Sequence, residues 1–437
     1  MLIKLALKSL HDRKGSVILS IIAMTVSVFV LLGVEHVRHQ TKQNFANTVS
    51  GVDLIVGART SSLNLLLYSV FKIGSPSNNI SWQSFKKVAE NPQVKWAVPL
   101  SLGDSHKGYR VLGTTESYFQ YYSYGKKHKL LFQQGQAFNN VFDVVLGYQI
   151  AVKLGYQLGD EIVLAHGLGR TSFSMHADKP FTVVGILAPT GTPVDHTLHV
   201  SLQAIEAIHA SGKNTYHASQ TSKPDKRSEL KTDLPPQLSA NYPSDSMPSS
   251  KSTLTPKSIT AFMLGLNSKM STFKIQREIN NNRQEPLSAI LPGVALSELW
   301  QIMGILESTL FLVAILVFIS ASLGVSAMLL SAIKQRSREM YLLRVIGAPA
   351  LFLFMLIELE ALFITIISCA LGVALLIASL FFAQTYLASY FSLQISLNIF
   401  SLNSLTLIMA MIAASALVAT IPSVVSYLQS KRHYVVK

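Results

Sequence analysis

Charged residues and cysteine are both scarce in this sequence. Asp, Glu, Lys and Arg make up 14% of its 437 residues, whereas soluble domains average about 25%. The single cysteine, Cys369, excludes a disulfide within the chain. No G-x-x-x-x-G-K-[ST] motif occurs, which excludes a P-loop nucleotide site. We find no Ser–His–Asp set and no paired carboxylates, so we predict a chain that is not an enzyme, with no catalytic residue and no cofactor of its own.

The missing charges leave long apolar runs. Ser16 to Val34 and Ser308 to Ile333 contain no charged residue, and none occurs from Ala361 to Ser430. A helix that crosses a bilayer needs about 20 residues. The last stretch therefore holds two spans, separated by the polar and aromatic segment Gln384 to Asn403. These lengths predict four transmembrane helices.

The predicted fold class is a membrane α-helical protein with a large extracytoplasmic α/β domain of two subdomains inserted between helices one and two. Its parts in chain order are a cytoplasmic amphipathic helix (1–15), the first span (16–36), the extracytoplasmic domain (37–305), the second span (306–333), a cytoplasmic segment (334–350), the third span (351–383), a short loop (384–403), the fourth span (404–428) and a cytoplasmic tail (429–437). Within the domain, 37–105 and 258–305 form a membrane-proximal subdomain, 106–210 an inserted subdomain and 211–257 a flexible insertion rich in Ser, Thr, Pro and Lys.

The basic residues ahead of the first apolar run also resemble the start of a signal peptide. However, the run from Ser16 to Val34 is long for such a peptide, and Glu35, His36 and Arg38 follow it where a small-x-small cleavage site would stand. We therefore expect an uncleaved anchor.

Basic residues beside the spans predict the orientation. The flanks at the N-terminus, between spans two and three, and at the C-terminus hold four, four and three Lys or Arg residues, against two acidic residues in all. Short loops rich in Lys and Arg stay in the cytoplasm. Both termini and the segment 334–350 are therefore expected on the cytoplasmic side, and the basic charge indicates topology rather than nucleic-acid binding.

Local patterns predict the elements of the α/β domain. Trp82 to Ala89 is expected to form a helix with Ser81 as its N-cap, and Thr272 to Asn280 a second helix. Val144 to Leu154 is predicted as a short helix, and Phe181 to Leu187 as a strand.

Two motifs point to a known family. Leu146-Gly147, Ala151 to Gly155 and Leu158 to Ile162 form the first, and Arg336 to Ala348 form the second. Both resemble motifs of the MacB/FtsX-type permease family of ABC systems, which shares the predicted order of one span, a large external domain and three spans. The second is similar to the family's cytoplasmic pattern E-R-x-x-E-I-G-x-L-R-A-x-G-A. The departures from that pattern include Gln335, Met340 and Tyr341.

The resemblance implies a permease subunit without a fused ATPase domain. Two copies of a cytoplasmic ABC ATPase, which bind ATP and Mg, would then work with two permease copies, most simply a homodimer. The family passes the closure of the ATPase dimer to the external domain and carries no substrate through a channel. The other partners implied are the membrane and a periplasmic adaptor or lipoprotein; no nucleic acid is expected.

The segment between spans two and three is the predicted ATPase-coupling site. It is short, basic and amphipathic. The residues assigned to coupling are Arg336, Arg338, Glu339, Leu343, Arg344 and Gly347. The alternative is an ordinary basic loop at the cytoplasmic surface.

Four other residues are weaker candidates. Glu358 and Glu360 lie in the third span, where a carboxylate is either paired or close enough to the interface to reach water. His196 and His199 resemble metal ligands, but no H-x-x-x-H pair or cysteine accompanies them. We therefore assign no metal site.

Three functions remain open from the sequence. The first is mechanotransmission, in which ATP hydrolysis drives the export or extraction of a peptide, lipoprotein or small molecule at the bacterial inner membrane. The alternatives are an FtsX-like regulator of a cell-wall hydrolase and a component of a zinc-linked periplasmic system. The two predicted subdomains are larger than a minimal FtsX-type external domain, which favours the first.

The predicted topology can be tested by cysteine labelling in a Cys369→Ser background. A membrane-impermeant maleimide should label Ser211→Cys in cells with a permeabilised outer membrane, because residues 37–305 are expected outside the cytoplasm. Ser337→Cys should be labelled only after the inner membrane is opened. Labelling of Ser337→Cys in intact cells would contradict the predicted orientation.

Overall fold

The computed structural model of the protein describes residues 2–166, 179–208, 255–335, 349–391 and 402–432, together with Leu342, Val345 and Gly347. Most of the predicted flexible insertion 211–257 lies outside the described residues. The chain divides into two compact units, residues 1–43 with 300–437 and residues 44–299. We call them the membrane unit and the α/β unit.

The helices and strands alternate through the middle of the chain. The helices are α1 (Leu2–Asp12), α2 (Lys14–Asn47), α3 (Ser62–Leu66), α4 (Trp82–Ala89), α5 (Ser117–Tyr121), α6 (Tyr148–Leu154), α7 (202–208), α8 (Thr272–Asn280), α9 (Pro292–Gln335), α10 (Ala350–Phe391) and α11 (Leu402–Arg432). The strands are β1 (Leu54–Ala58), β2 (Ile80–Ser81), β3 (Val94–His106), β4 (Tyr109–Thr114), β5 (Ser123–Tyr124), β6 (His128–Lys129), β7 (Phe132–Gly135), β8 (Asp143–Leu146), β9 (Glu161–Ile162), β10 (Ala165–His166), β11 (Phe181–Leu187), β12 (Thr197–Ser201), β13 (Ser258–Ile259), β14 (Ala261–Leu266) and β15 (Leu287–Ile290). A π-helical turn covers Leu67–Phe71, and 3-10 turns cover Pro193–His196 and Lys269–Ser271.

Four helices of the described chain are long and apolar enough to cross a bilayer. These stretches are Lys14–Asn47, Pro292–Gln335, Phe354–Gln384 and Leu402–Val424. The α/β unit follows the first of them in the chain and precedes the second. The predicted fold class, four membrane helices with an α/β domain between the first two, is confirmed.

Three of the helices extend well beyond the predicted spans, and α11 (Leu402–Arg432) exceeds its predicted span by a few residues. α2 continues through Asn47, α9 starts at Pro292, and α10 continues through Phe391 into the predicted loop 384–403. Proline is favoured at the first helical position because its missing N–H needs no partner there. Between Gln384 and Phe391 the sequence has no glycine, proline or charge that would end α10.

A glycine lets α10 approach α2 closely in the membrane unit. A Cβ atom at position 372 would lie 2.7 Å from Cγ1 of Val28 and 3.2 Å from the carbonyl oxygen of Thr25. Val28 is fully buried, and its neighbours Leu31 and Leu32 on α2 are buried with it. Small residues promote packing between membrane helices, because lipid offers no hydrophobic driving force for their association.

The α/β unit is built on one sheet of eleven strands. Its order is β15-β1-β14-β3-β4-β12-β8-β11-β7, with β10 paired to β3 and β9 paired to β11. The β4–β12 and β8–β11 pairs are parallel, and the other pairs are antiparallel. β1 pairs with both β14 and β15, so the first strand of the unit lies between its last two.

Strand β3 runs through both halves of this sheet. It is 13 residues long. Its first part pairs with β14, where Val98 lies opposite Met263, and its second part pairs with β4, where Leu102 lies opposite Leu112. The two halves of the sheet therefore share one continuous strand.

Three apolar clusters cover the two faces of the sheet. Side chains alternate along a strand, so Ile55 of β1 and Val145 of β8 point to one face, into a cluster that extends across both halves. Leu54 and Val56 point to the other face, where they pack with α4 and α8. Val144 lies in the third cluster, which packs with α6 and α7.

The prediction of one helix over Val144 to Leu154 is wrong. Asp143–Leu146 is strand β8, and the helix begins only at Tyr148. All four residues of β8 are buried. A strand that is buried on both faces is apolar at consecutive positions, and its periodicity does not distinguish it from a helix.

The helices Trp82–Ala89 and Thr272–Asn280 are confirmed at their predicted ends. The predicted cap is present as well, because the Ser81 hydroxyl oxygen accepts a hydrogen bond from the N–H of Ser84 at 3.2 Å. Such a side chain satisfies a backbone donor that the helix itself leaves unpaired.

Gly372→Val should destabilise the membrane unit. Overpacking of this kind costs about 1–3 kcal/mol of unfolding free energy, and Val28 together with the backbone of α2 leaves no room for the added atoms. Gly304→Val on α9 is the matched control, since a Cβ atom there meets nothing within 4 Å. Thermal unfolding in detergent micelles measures both, and equal midpoints for the two variants would contradict the close approach of α2 and α10.

Candidate functional site

The predicted coupling segment lies between the end of α9 at Gln335 and the start of α10 at Ala350. Leu342 and Val345 within it are 58% and 67% exposed. Apolar side chains with that exposure are available to a partner. The assigned residues Arg336, Arg338, Glu339, Leu343 and Arg344 lie outside the described residues, and their role stays a prediction.

Gly347 closes the segment in a conformation that favours glycine. Its φ angle is +104°, which residues with a Cβ atom rarely adopt. Within the described part of the chain an added Cβ atom would meet nothing within 4 Å, so the backbone angle is what favours glycine here. Two residues later the carbonyl oxygen of Pro349 accepts the N–H of Phe352 at 2.9 Å, and α10 begins.

Glu358 and Glu360 both lie on α10. Oε2 of Glu358 accepts a hydrogen bond from the hydroxyl of Ser423 on α11 at 3.3 Å. Glu360 is buried, with 6% of its surface exposed. A carboxylate inside a membrane is costly unless it has a partner, and for Glu358 the chain supplies one.

Hydroxyl groups link the four spanning helices to one another. Besides the bond from Ser423 to Glu358, the described residues form bonds between helices from Thr365 Oγ1 to Ser415 Oγ (2.5 Å), Ser326 Oγ to Val418 O (3.2 Å), Ser368 Oγ to Ile21 O (3.3 Å) and Ser27 Oγ to Val317 O (3.4 Å). We call Ser27, Ser326, Thr365, Ser368 and Ser415 the polar seam. Polar side chains at helix contacts in a membrane contribute to association by such bonds.

Sequence reasoning missed the polar seam. Thr365 and Ser415 are 50 residues apart, and nothing in their neighbourhoods indicates which hydroxyls face a partner helix. Thr365 donates its hydroxyl hydrogen to the carbonyl oxygen of Ala361 four residues earlier, as a hydroxyl on a helix can, and therefore accepts the hydrogen bond from Ser415. The only available signal was the presence of small polar residues inside otherwise apolar spans.

The two candidate metal-ligating histidines lie in different surroundings. The ring of His196 stacks on Tyr109, with centroids 6.0 Å apart. The ring of His199 is fully buried and packs on Tyr118 and Phe119 at 5.3 and 5.8 Å. Within the described ranges, no group of three or more His, Cys, Asp or Glu residues is placed to hold a metal ion.

Burial also sets the charge of these histidines. It lowers the pKa of His196 to about 4 and that of His199 to about 3. Electrostatic repulsion from Lys153 on His196 and from Lys72 on His199 contributes to these lowered pKa values. Both rings are therefore neutral at neutral pH.

Asp195 fixes the turn that precedes β12. Its carboxylate accepts hydrogen bonds from the N–H of Thr190 at 2.9 Å, from the Thr190 hydroxyl at 2.8 Å and from the N–H of Gly191 at 2.8 Å. Burial raises the pKa of Asp195, and these hydrogen bonds oppose that shift. The turn between Pro189 and Pro193 is therefore held by a buried carboxylate as well as by proline.

Two protein-family models match parts of the chain. The MacB-like periplasmic core domain matches residues 16–234, and the FtsX-like permease C-terminal matches residues 311–432. The chain belongs to the MacB/FtsX-type permease family. It is therefore an ABC transporter permease, a transmembrane component of a transporter and not itself an enzyme. Members of this family work with ABC ATPases and often dimerise.

The permease is also similar to solved structures. One is the periplasmic region of MacB from Actinobacillus actinomycetemcomitans, with 8% identity over 58% of this chain and 94% of that chain and a TM-score of 0.32. Another is the extracellular domain of the noncanonic ABC-type transporter YknZ from Gram-positive bacteria, with 13% identity over 55% of this chain and 98% of that chain and a TM-score of 0.28. No curated protein sequence matches the chain.

The signature glycine of the permease's α/β unit has a physical role. A Cβ atom at Gly147 would lie 2.3 Å from the carbonyl oxygen of Val194 and 2.6 Å from the backbone of Asp195. Glycine at this position allows the turn held by Asp195 to approach the start of α6. The pair Leu146-Gly147 thus marks the end of β8 and the contact that follows it.

Thr365→Val should weaken the membrane unit of the permease. Valine keeps the shape but removes the hydroxyl that bonds Ser415, and bonds of this kind contribute about 0.6–2 kcal/mol in membranes. Thr309→Val is the matched control, because among the described residues the Thr309 hydroxyl bonds the carbonyl oxygen of Ile305 on its own helix, at 2.8 Å, and no neighbouring helix. A steric-trap or urea titration in bicelles gives both free energies, and equal losses would show that the Thr365–Ser415 bond contributes nothing.

Proposed function

We propose that this permease couples ATP hydrolysis by a separate ABC ATPase to a conformational change of its α/β domain. It acts in the bacterial inner membrane, with both termini in the cytoplasm and the α/β domain in the periplasm. The movement exports or extracts a peptide, a lipoprotein or a small molecule. The unbroken length of α2 and α9 is the observation that supports this proposal most directly.

Both helices are longer than a bilayer requires. α2 has 34 residues and α9 has 44, which correspond to about 51 and 66 Å at the helical rise of 1.5 Å per residue. The hydrocarbon core is only about 30 Å thick. Each helix therefore continues its backbone hydrogen bonding past the membrane, toward the part of the sequence that holds the α/β domain. A continuous helix can transmit a displacement along its axis that a flexible linker would absorb.

The other end of α9 leads directly into the predicted coupling segment. α9 ends at Gln335, and the next residues are Arg336, Ser337, Arg338 and Glu339. A partner that holds these charges would hold the end of the same helix. The positive φ of Gly347 then turns the chain into α10, so the segment is bounded by a long helix on each side.

Two copies of the permease are proposed to form the complex. An ABC ATPase dimer offers two equivalent sites, and closed two-fold symmetry is the commonest arrangement for such a pair. ATP and Mg are bound by the ATPase subunits in this arrangement. A periplasmic adaptor or lipoprotein is proposed as the partner of the α/β domain.

Glu339→Ala and Arg344→Ala should uncouple the ATPase. Removing one member of a charge pair that is buried at an interface costs about 2–5 kcal/mol of binding free energy, because the other charge is left unpaired. A loss of about 2 kcal/mol corresponds to roughly a 30-fold loss of affinity. The measurements are co-purification of the ATPase and permease-dependent ATP hydrolysis in nanodiscs. Expression of the variants should be normal, because exposed charges contribute little to folding.

Lys8→Ala is the control for these variants. Lys8 lies on α1, is exposed and is also predicted on the cytoplasmic side, so its loss should change neither binding nor hydrolysis. If Glu339→Ala and Arg344→Ala also leave both unchanged, the ATPase docks elsewhere and the proposed coupling site is wrong.

A further inference from the structure

An open groove crosses the α/β unit at one edge of its sheet. Its volume is about 610 Å³, and ligand sites in proteins typically measure about 300–1,000 Å³. Gln133 and Gln134 of β7 line one side, and Ala151 and Val152 of α6 line the other. Ile186 of β11, the strand next to β7 in the sheet, lines the groove as well.

β7 is an edge strand in the described part of the chain. It is the last strand in the sheet order and pairs only with β11, with Gly135 opposite Gly185 and Gln134 opposite Ile186. Residues 133–136 are all exposed. The outer side of an edge strand presents backbone N–H and C=O groups that can pair with another strand.

The residues that line the groove carry no charge. They are aliphatic, aromatic or amide side chains, together with one glycine. Val152 and Leu158 are 59% and 44% exposed there, so two aliphatic side chains face solvent. This composition fits an uncharged, partly apolar ligand and does not fit a phosphate, a nucleic acid or a lipid headgroup.

One wall of the groove is held in place before any ligand arrives. The N–H at Nδ1 of His106 donates to the carbonyl oxygen of Val163 at 2.7 Å, since a carbonyl can only accept. Nε2 of His106 then accepts the hydroxyl of Tyr156 at 2.8 Å. The ammonium of Lys107 lies 5.1 Å from the centre of the Tyr156 ring, within the range of a cation–π contact.

The two hydrogen bonds of His106, to Val163 and Tyr156, require the neutral form of its ring. Burial lowers the pKa of His106, so the ring is uncharged at neutral pH and Nε2 keeps its lone pair. A wall that is already ordered adds no entropy cost when a ligand binds.

We propose that this groove binds an extended, uncharged segment of a partner protein. The segment adds to β7 as a further strand through backbone hydrogen bonds and places every second side chain between β7 and α6. An exposed strand edge beside an apolar groove supports this mode of recognition, because the backbone supplies affinity and the alternate side chains supply specificity. The proposal concerns binding without nucleotide and does not depend on the proposed ATPase coupling.

The test uses the full-length permease in nanodiscs without ATP. Phage-displayed random octapeptides are selected on it, and the most enriched peptide is synthesised with a fluorescein label for polarisation measurements. We expect a peptide without charges that alternates apolar and polar residues. Val152→Asp and Leu158→Asp should each weaken its binding at least tenfold, whereas Met270→Asp, at a side chain 91% exposed outside the groove, should change it less than twofold.

N-methylation of the peptide then tests strand addition. An added strand directs alternate amides toward its neighbour. Methylating every second amide should therefore weaken binding at least tenfold in one register and leave it unchanged in the other.

Three outcomes would overturn the proposal. The first is that no enriched peptide responds to Val152→Asp and Leu158→Asp. The second is that binding is insensitive to N-methylation, which would mean that the ligand docks through side chains alone. The third is enrichment of peptides that match residues 167–178 of this chain, which would assign the groove to the permease's own segment instead of a partner.

Discussion

The pairing of β1 with β14 and β15 is the interaction on which the α/β unit depends. A domain inserted between two membrane spans has to begin and end at neighbouring places, and this ladder places its first strand between its last two. Ile55 lies opposite both Met263 and Ile290. All five residues of β1 are buried, and they contribute to the clusters on both faces of the sheet. Without β1 the rest of the sheet would lose an interior strand and the closure between its ends.

Local sequence signals were sufficient to predict a helix or a span wherever the residues themselves mark where it begins and ends. The four spans follow from the absence of charge, because a lipid environment tolerates almost no unpaired ionised side chain. The helix Trp82–Ala89 follows from the Ser81 cap and from its apolar spacing. The ends of the helices beyond the spans were harder to predict from the sequence, because the residues from Gln384 to Phe391 neither favour lipid strongly nor terminate a helix.

Other features depend on contacts between distant parts of the chain, which the local sequence does not reveal. β8 is a strand because it lies between β11 and β12 in the sheet, not because Asp143–Leu146 has a distinctive period. The polar seam is another case, because a serine in an apolar helix has the same local appearance whether it faces lipid or another helix. Of the predicted site residues, the structure places Gly347, Glu358, Glu360, His196 and His199, and it shows that Glu358 accepts a hydrogen bond from Ser423 on the neighbouring helix α11. The groove beside β7 had no sequence signal, since its lining comes from three separate stretches of chain.

Strand β3 couples the stability of the two halves of the α/β unit, which would be independent in two separately folded domains. Its 13 residues are hydrogen bonded to β14 near one end and to β4 near the other. The apolar cluster along that face also extends across both halves. We therefore expect the two halves to unfold as one cooperative unit, because opening either of them would disrupt the strand that they share. Slow amide exchange in one half then reports on the integrity of the other, and a substitution in either half changes the same free energy of unfolding.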